Sequence, residues 1–181
     1  MPFVRNRKAF EGLYGAHCLP FTVMVKPQNP IATAKRIARA YTYSNNLDLL
    51  RQIIESYGIM LDYWPLMEIS GMFWYAPDKK PTIAVNSEHP PVRQRFTIAH
   101  EIGHFMLDHG KYFVCLDLEG DYRRNLLERH ANQFAAELLM PFEKITAQIK
   151  KNRNIREIAQ HFQVSREAAY WRIENTRKVM K

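Results

Sequence analysis

The sequence predicts an α+β fold: a small, aromatic-rich sheet packed against two successive helices, followed by a C-terminal helix-turn-helix-like segment. Three observations carry that expectation. Between residues 60 and 85 lie three short runs, Met60–Trp64, Met72–Tyr75 and Thr82–Val85, rich in aromatic and β-branched side chains. From Pro91 onward, apolar residues recur at three- and four-residue spacing through two longer segments, 93–108 and 126–140. Beyond Asn154 come two shorter helical patterns separated by a tight turn.

Taken in order, residues 1–30 carry Pro20, Pro27 and Pro30 with no clear period and are expected to form an irregular arm. Ala32–Ala40 and Asp48–Tyr57 are spaced as helices. In the second, Leu49, Leu50, Ile53 and Ile54 share one side and Gly58 supplies the stop. Pro77-Asp-Lys-Lys-Pro81 reads as a hairpin loop between the second and third strands. Pro90-Pro91 opens the next helix, because proline fits the first turn, where its missing N–H removes no hydrogen bond. Residues 109–122 are expected as a loop, and Met140-Pro141 ends the helix that follows. In the tail, Asn154 and Glu157 make a capping box and Ser165 a second cap. Ile158, Ala159, Phe162, Val164, Ala169 and Ile173 supply the tail's core. The organisation is then an arm over 1–30, a core domain over 31–145 and a helical cap over 146–181.

Composition narrows the class. A chain of 181 residues suits one core domain with a small appendage. At 46% hydrophobic and 24% charged it is globular rather than disordered. Cys18 and Cys115 are too few and too far apart for a disulfide framework and fit reduced thiols in a cytoplasmic protein. The apolar run Leu19–Val25 is interrupted by Pro20 and is too short for a signal core or a membrane span, so no membrane partner is expected. The net charge of +8 gathers near the two ends, as solvated faces do, and would also attract an acidic or DNA-bound partner. Arg166 and Arg172 on the last helix are the candidate DNA contacts. Without further base-reading side chains, a cap packed on the core is the favoured reading over nucleic-acid binding.

The chemistry lies in His100-Glu-Ile-Gly-His104, within Arg93–Asp108. Positions i and i+4 of a helix lie on one face, so His100 and His104 present two imidazoles to one point, with Glu101 on the neighbouring edge. Two neutral imidazoles leave Zn²⁺ short of one protein ligand and one open position, as a catalytic zinc requires. Ile98, Ile102 and Phe105 form an apolar stripe roughly opposite the histidines, so one face packs on a core while the other lines a cleft.

The third ligand has two candidates. Leu107 and Gly110 stand where the metzincin pattern needs Gly and then His or Asp, which excludes that subclass. The thermolysin pattern takes a Glu from a second helix instead. In Leu126–Pro141, Leu127, Ala131, Phe134 and Leu138 make an apolar face, with Glu128 and Asn132 four residues apart on an adjacent stripe. A carboxylate beside an apolar face needs a partner, and a metal is one. Asn132 would then hydrogen-bond the outer nitrogen of a ligating histidine. Glu128 is favoured over Asp108, which follows His104 by one turn and is otherwise an outer partner of the site. His109 reads as a solvated cap residue, and His130 and Glu137 as surface residues.

Arg95-Phe-Thr-Ile-Ala-His-Glu-Ile-Gly-His104 followed by Glu128-Arg-His-Ala-Asn-Gln-Phe-Ala-Ala-Glu-Leu-Leu-Met-Pro141 closely resembles the ImmA/IrrE family of zinc metallopeptidases. Ile69-Ser-Gly71 and Thr82–Asn86 are similar to that family's strand region. The resemblance covers about residues 45–145. One departure is His130, where family members often carry Glu two residues before the Asn. The resemblance implies a gluzincin-like core with His100, His104 and Glu128 on zinc and Glu101 as general base. It further implies a protein substrate, a helix-turn-helix transcriptional repressor, cut at a single exposed site to relieve repression. Tyr112, Arg123 and His130 are the candidates for stabilising the oxyanion. The rival reading is a DNA- or partner-binding regulator whose zinc is structural or vestigial, with Cys115 as fourth ligand if its loop folds back.

Overall fold

The computed structural model of the chain describes residues 28–66, 69–116 and 122–180, the side chains of 112–125 excepted. The irregular arm expected over 1–30 therefore lies almost wholly outside the described residues, as do Cys18 and the side chain of Cys115. The architecture is α+β, as the strand and helix patterns require.

The first helix, α1 (Pro30–Arg39), begins at a proline, and the Asn29 side chain accepts hydrogen bonds from the Ile31 and Ala32 amides. In α2 (Asn46–Ser56) the Asn45 side chain caps the Asp48 amide, and Leu49, Leu50 and Ile53 are buried. Gly58, at φ 60°, turns the chain out of the helix.

Four strands follow: β1 (Met60–Trp64), β2 (Ile69–Tyr75), β3 (Pro81–Asn86) and, after the long helix α3 (Pro91–Met106), β4 (Tyr112–Leu116). They lie in the order β1-β3-β2-β4. β3 is central and buried from Thr82 to Asn86, parallel to β1 and antiparallel to β2. β4 lies antiparallel along the other side of β2. This corrects the expectation of a loop across 109–122. Tyr112-Phe-Val-Cys-Leu116 carries the aromatic and β-branched strand signature but is short, and only its pairing with β2 distinguishes it from a connector. The hairpin loop expected at 77–81 joins β2 to β3, with Lys79 in the left-handed region at φ 65°.

Strand alternation gives the sheet two unlike faces. Phe73, Ile83 and Val85 point into the main core, while Met72 and Ala84 form a smaller cluster on the other face with Trp64 and Trp74 packed on it. The main core continues through α3 and α4 (Tyr122–Leu139) into α5 (Phe142–Lys150), α6 (Ile155–Phe162) and α7 (Arg166–Met180). The Asn154–Glu157 capping box forms at the start of α6, and Gln163 in the left-handed conformation makes the tight turn to α7. Ile158, Ala159, Phe162, Val164, Ala169 and Ile173 are all buried in this same cluster.

Two side chains expected at the surface sit elsewhere. Glu137 is only 2% exposed and pairs with Arg172 of α7, with Lys35 of α1 3.9 Å away. It also accepts the Phe142 amide at 3.1 Å, and Arg172 Nε donates to the Met140 carbonyl at 2.9 Å. Arg172 thus points inward and is not available as a DNA contact. His130 is half-buried. One apolar stripe per helix is a poor guide here because α4 packs on both α1 and α3, and residues 137–140 are buried in succession.

Candidate active site

Helix α3 is fixed at its start by Gln94, whose Nε2 donates to the carbonyls of Asn86 and Ser87 at the end of β3. From Thr97 to His104 every residue is buried, and Glu101 and His104 are 0% exposed. Two glycines allow this. A Cβ on Gly71 of β2 would collide with Thr97 Cγ2 and stand 3.1 Å from Glu101 Oε1. A Cβ on Gly103 would stand 3.1 Å from Phe134 Cδ1 and 3.2 Å from Ala131 Cα on α4. The first bare backbone seats the helix on the sheet. The second brings α4 close enough for Glu128 to reach the histidines.

The resulting group is compact. His100 Nε2 lies 3.0 Å from His104 Nε2 and 3.0 Å from Glu128 Oε2, and His104 Nε2 is 3.7 Å from Glu128 Oε1. One donor atom from each of the three residues falls within 4.8 Å of the others. A tetrahedral ion with bonds of about 2.0–2.1 Å separates its ligand atoms by roughly 3.3 Å, so two imidazoles and a carboxylate at these spacings lie close to what one metal ion requires. Burial alone would push His100 down, but the hydrogen bond to Glu128 and the charges of Glu101 and Glu128 hold its imidazole above the usual range. Burial would raise Glu128, but the two histidine partners hold its carboxyl well below the usual range. Each of the two thus favours the charged form of the other across the 3.0 Å contact between His100 Nε2 and Glu128 Oε2.

The outer ring nitrogens are held as well. His100 Nδ1 is 2.9 Å from Asn132 Oδ1. His104 Nδ1 is 3.0 Å from His109 Nδ1. His109 is therefore no solvated cap: burial and the neighbouring His104 and His130 push it down to about 3. The His130 ring lies with its centroid 6.2 Å from that of His109. Asp108 stands outside the three-donor group, exposed at the end of α3 with φ 52°. The side chains of Tyr112 and Arg123, candidates for the oxyanion, and that of Cys115, the candidate fourth ligand, lie outside the described residues.

Fold and donor set together define a metallopeptidase-like domain. Residues 54–174 match the Peptidase M78 family, described as the IrrE N-terminal-like domain, and the chain belongs to it. A radiation response metalloprotease, IrrE, of Deinococcus deserti is 36% identical over 122 residues, covering 63% of this chain and 42% of that protein. The Deinococcus radiodurans protein of the same name is 34% identical over 122 residues, covering 63% and 36%. The chain thus spans well under half the length of these curated relatives. Among solved structures, a Mycobacterium tuberculosis transcriptional regulator shares the fold, with a TM-score of 0.54 and 18% identity over 77% of this chain and 44% of that one.

Proposed function

We propose that this chain is a zinc-dependent endopeptidase that makes limited cuts in a regulatory protein, a helix-turn-helix transcriptional repressor, and so relieves repression. The observation that carries the reading is the convergence of His100, His104 and Glu128 beside the buried carboxylate of Glu101. Two imidazoles and one carboxylate leaving a fourth position open is the donor set of a catalytic zinc, whereas structural sites close all four. When bound there, zinc supplies Lewis acidity toward a water and the scissile carbonyl. Glu101 supplies the proton transfers, taking one from the attacking water and later passing it to the leaving amine. Its burial against β2 at Gly71 keeps that carboxylate in one place and in a low-dielectric surrounding, where its charge acts strongly. Asn132 holds His100 in the tautomer that directs Nε2 at the ion.

The substrate reading rests on the sheet and on the relatives. β4 is an edge of the described sheet and lies beside β2, the strand that meets Glu101. An edge strand accepts an extended segment by strand addition, which an exposed linker can supply and a folded domain cannot. Relatives whose name is radiation response metalloprotease fit a protease confined to a regulatory target. A cytoplasmic setting belongs to this reading because a repressor acts there; separately, no helix among the described residues is long and apolar enough to cross a membrane.

The test is metal analysis of the purified protein and of Glu101→Gln, then incubation of both with co-encoded repressors and with casein. Both proteins should carry zinc, and only the first should cut, at one site in a repressor and hardly at all in casein. Degradation of casein at many sites would refute limited proteolysis. Stable repressor binding without cleavage by either protein would move the assignment to the partner-binding regulator.

A further inference from the structure

Helix α3 ends in a Schellman motif whose second outer residue is a histidine. The Asp108 amide donates to the Phe105 carbonyl at 3.2 Å and the His109 amide to the His104 carbonyl at 3.1 Å, with Asp108 left-handed at φ 52°. In this cap the second residue past the end folds back over the residue three positions inside the helix cap. Here those two positions are His109 and His104, and their rings meet edge to face at 75° with centroids 4.9 Å apart. The contact is polar, Nδ1 to Nδ1 at 3.0 Å, on the side of His104 away from His100 and Glu128. Two imidazole nitrogens at that distance need one proton between them. If His104 offers the Nε2 lone pair to a metal, its own Nδ1 carries that proton, and His109 Nδ1 is the acceptor.

We propose that His109 is a positioning residue: it accepts the Nδ1–H of His104, fixing that ligand's tautomer and ring plane so that Nε2 faces His100 Nε2 and Glu128. The two ligand histidines are then held by unlike devices. His100 is held by Asn132 from the neighbouring helix, and His104 by a residue that the helix's own cap returns to it. Asp108 serves this arrangement through its backbone, since the left-handed position sets where the next side chain goes. A residue that oriented a metal ligand would change metal affinity by about 10–100-fold when its acceptor is lost.

The inference rests on the proposed metal site, and the test separates the two. Zinc affinity is measured by chelator competition on the wild-type chain, His109→Leu, His109→Asn and Asp108→Gly. Thermal unfolding confirms that each is folded, and ¹⁵N-resolved imidazole spectra of the metal-free proteins report the His104 tautomer. The expected result is one tight zinc in the wild type, a loss of about 10–100-fold in His109→Leu, and substantial recovery in His109→Asn, whose Oδ1 is an acceptor near the place of Nδ1. Asp108→Gly, at home at φ 52°, should bind as the wild type does. The metal-free spectra should show His104 protonated at Nδ1 in the wild type and a mixture of tautomers in His109→Leu. If the wild type binds no zinc, the metal-site reading fails. If it binds zinc and His109→Leu, folded, binds it equally well with an unchanged His104 tautomer, the positioning role is overturned while the site stands. Equal losses in the Leu and Asn variants would likewise overturn it, since any disturbance of packing would then suffice.

Discussion

Gly103 offers a sharp test of how the site is assembled, because replacing it with alanine pits two known effects against each other. An Ala in place of an interior helical Gly stabilises a helix by about 0.8–1.0 kcal/mol when nothing is in the way. Here the new Cβ would stand 3.1 Å from Phe134 Cδ1, 3.2 Å from Ala131 Cα and 3.3 Å from the Ala131 carbonyl oxygen. Carbon atoms rest comfortably at about 3.5–4.0 Å, so α4 must draw back by a few tenths of an ångström, and two of the three obstacles are backbone. Overpacking of this kind costs about 1–3 kcal/mol, which outweighs or cancels the propensity gain. Net stability should therefore fall by about 0–2 kcal/mol. The larger effect is expected on the metal. Glu128 rides on the strand of contacts that Gly103 permits, and ligand distances tolerate only about 0.2 Å of error. Zinc affinity should drop by at least about tenfold, a loss typical of disturbed ligand orientation. Urea unfolding and chelator competition on Gly103→Ala measure the two quantities separately. A variant stabilised by about 1 kcal/mol with unchanged zinc affinity would show that the helices do not constrain Glu128 as described.

Other perturbations probe independent parts of the structure. Glu128→Ala should leave the protein nearly metal-free by elemental analysis, whereas Asp108→Asn should stay loaded; the reverse pattern would sink the ligand assignment. Arg172→Met removes the main partner of a buried carboxylate and should cost about 3–5 kcal/mol, reduced by whatever Lys35 and the Phe142 amide retain; adding Glu137→Leu should recover most of it in denaturant titrations. The expected division into core and C-terminal cap is open to the same kind of measurement: a chain ending at Lys151 uncovers Glu137 and part of the shared core and should unfold at lower temperature, while an unchanged Tm would make the segment beyond Lys151 an independent cap. Because His100 is held above its usual range without metal, protons compete with a metal for its imidazole more strongly than for a free one, and zinc affinity should fall as pH drops. Chelator competition at several pH values measures this, and an affinity that does not change with pH would refute it.

The histidines and Glu128 were legible because helical spacing is a rigid ruler. Four residues along one helix fix the His100–His104 geometry, and the same interval fixes Glu128 against Asn132, so two short patterns suffice to place four side chains. The sheet was legible at three of its four strands, where aromatic and β-branched residues cluster. β4 was not, because a five-residue strand is defined by its partner more than by its composition. Glu137 was misplaced for a related reason: periodicity assumes one wet face, and α4 has helices on more than one side. His109 failed for want of a sign that Asp108 would be left-handed. Asp is several-fold enriched at positive φ, yet the residue that marks such a cap unambiguously is glycine, and Gly110 stands two places further on.

The site depends on backbone approach as much as on donor atoms. Glu101 reaches its place because Gly71 lets Thr97 and the helix settle on β2; Glu128 reaches its place because Gly103 lets α4 close on α3; His109 reaches His104 because the chain reverses at Asp108. None of these three positions contributes a side chain to the three-donor group, yet each sets the position of one that lies in or against it. A motif search sees the donor residues and is blind to these supports, since a glycine in a strand, a glycine in a helix and an aspartate at a helix end are individually ordinary. Their joint effect is a group of donors held at ligand spacing before any ion arrives, which lowers the reorganisation that binding would otherwise require. Substitutions at the supports should therefore weaken metal affinity while leaving all three donor residues unchanged, and that separation of donor identity from donor placement is the physical content of the fold around this site.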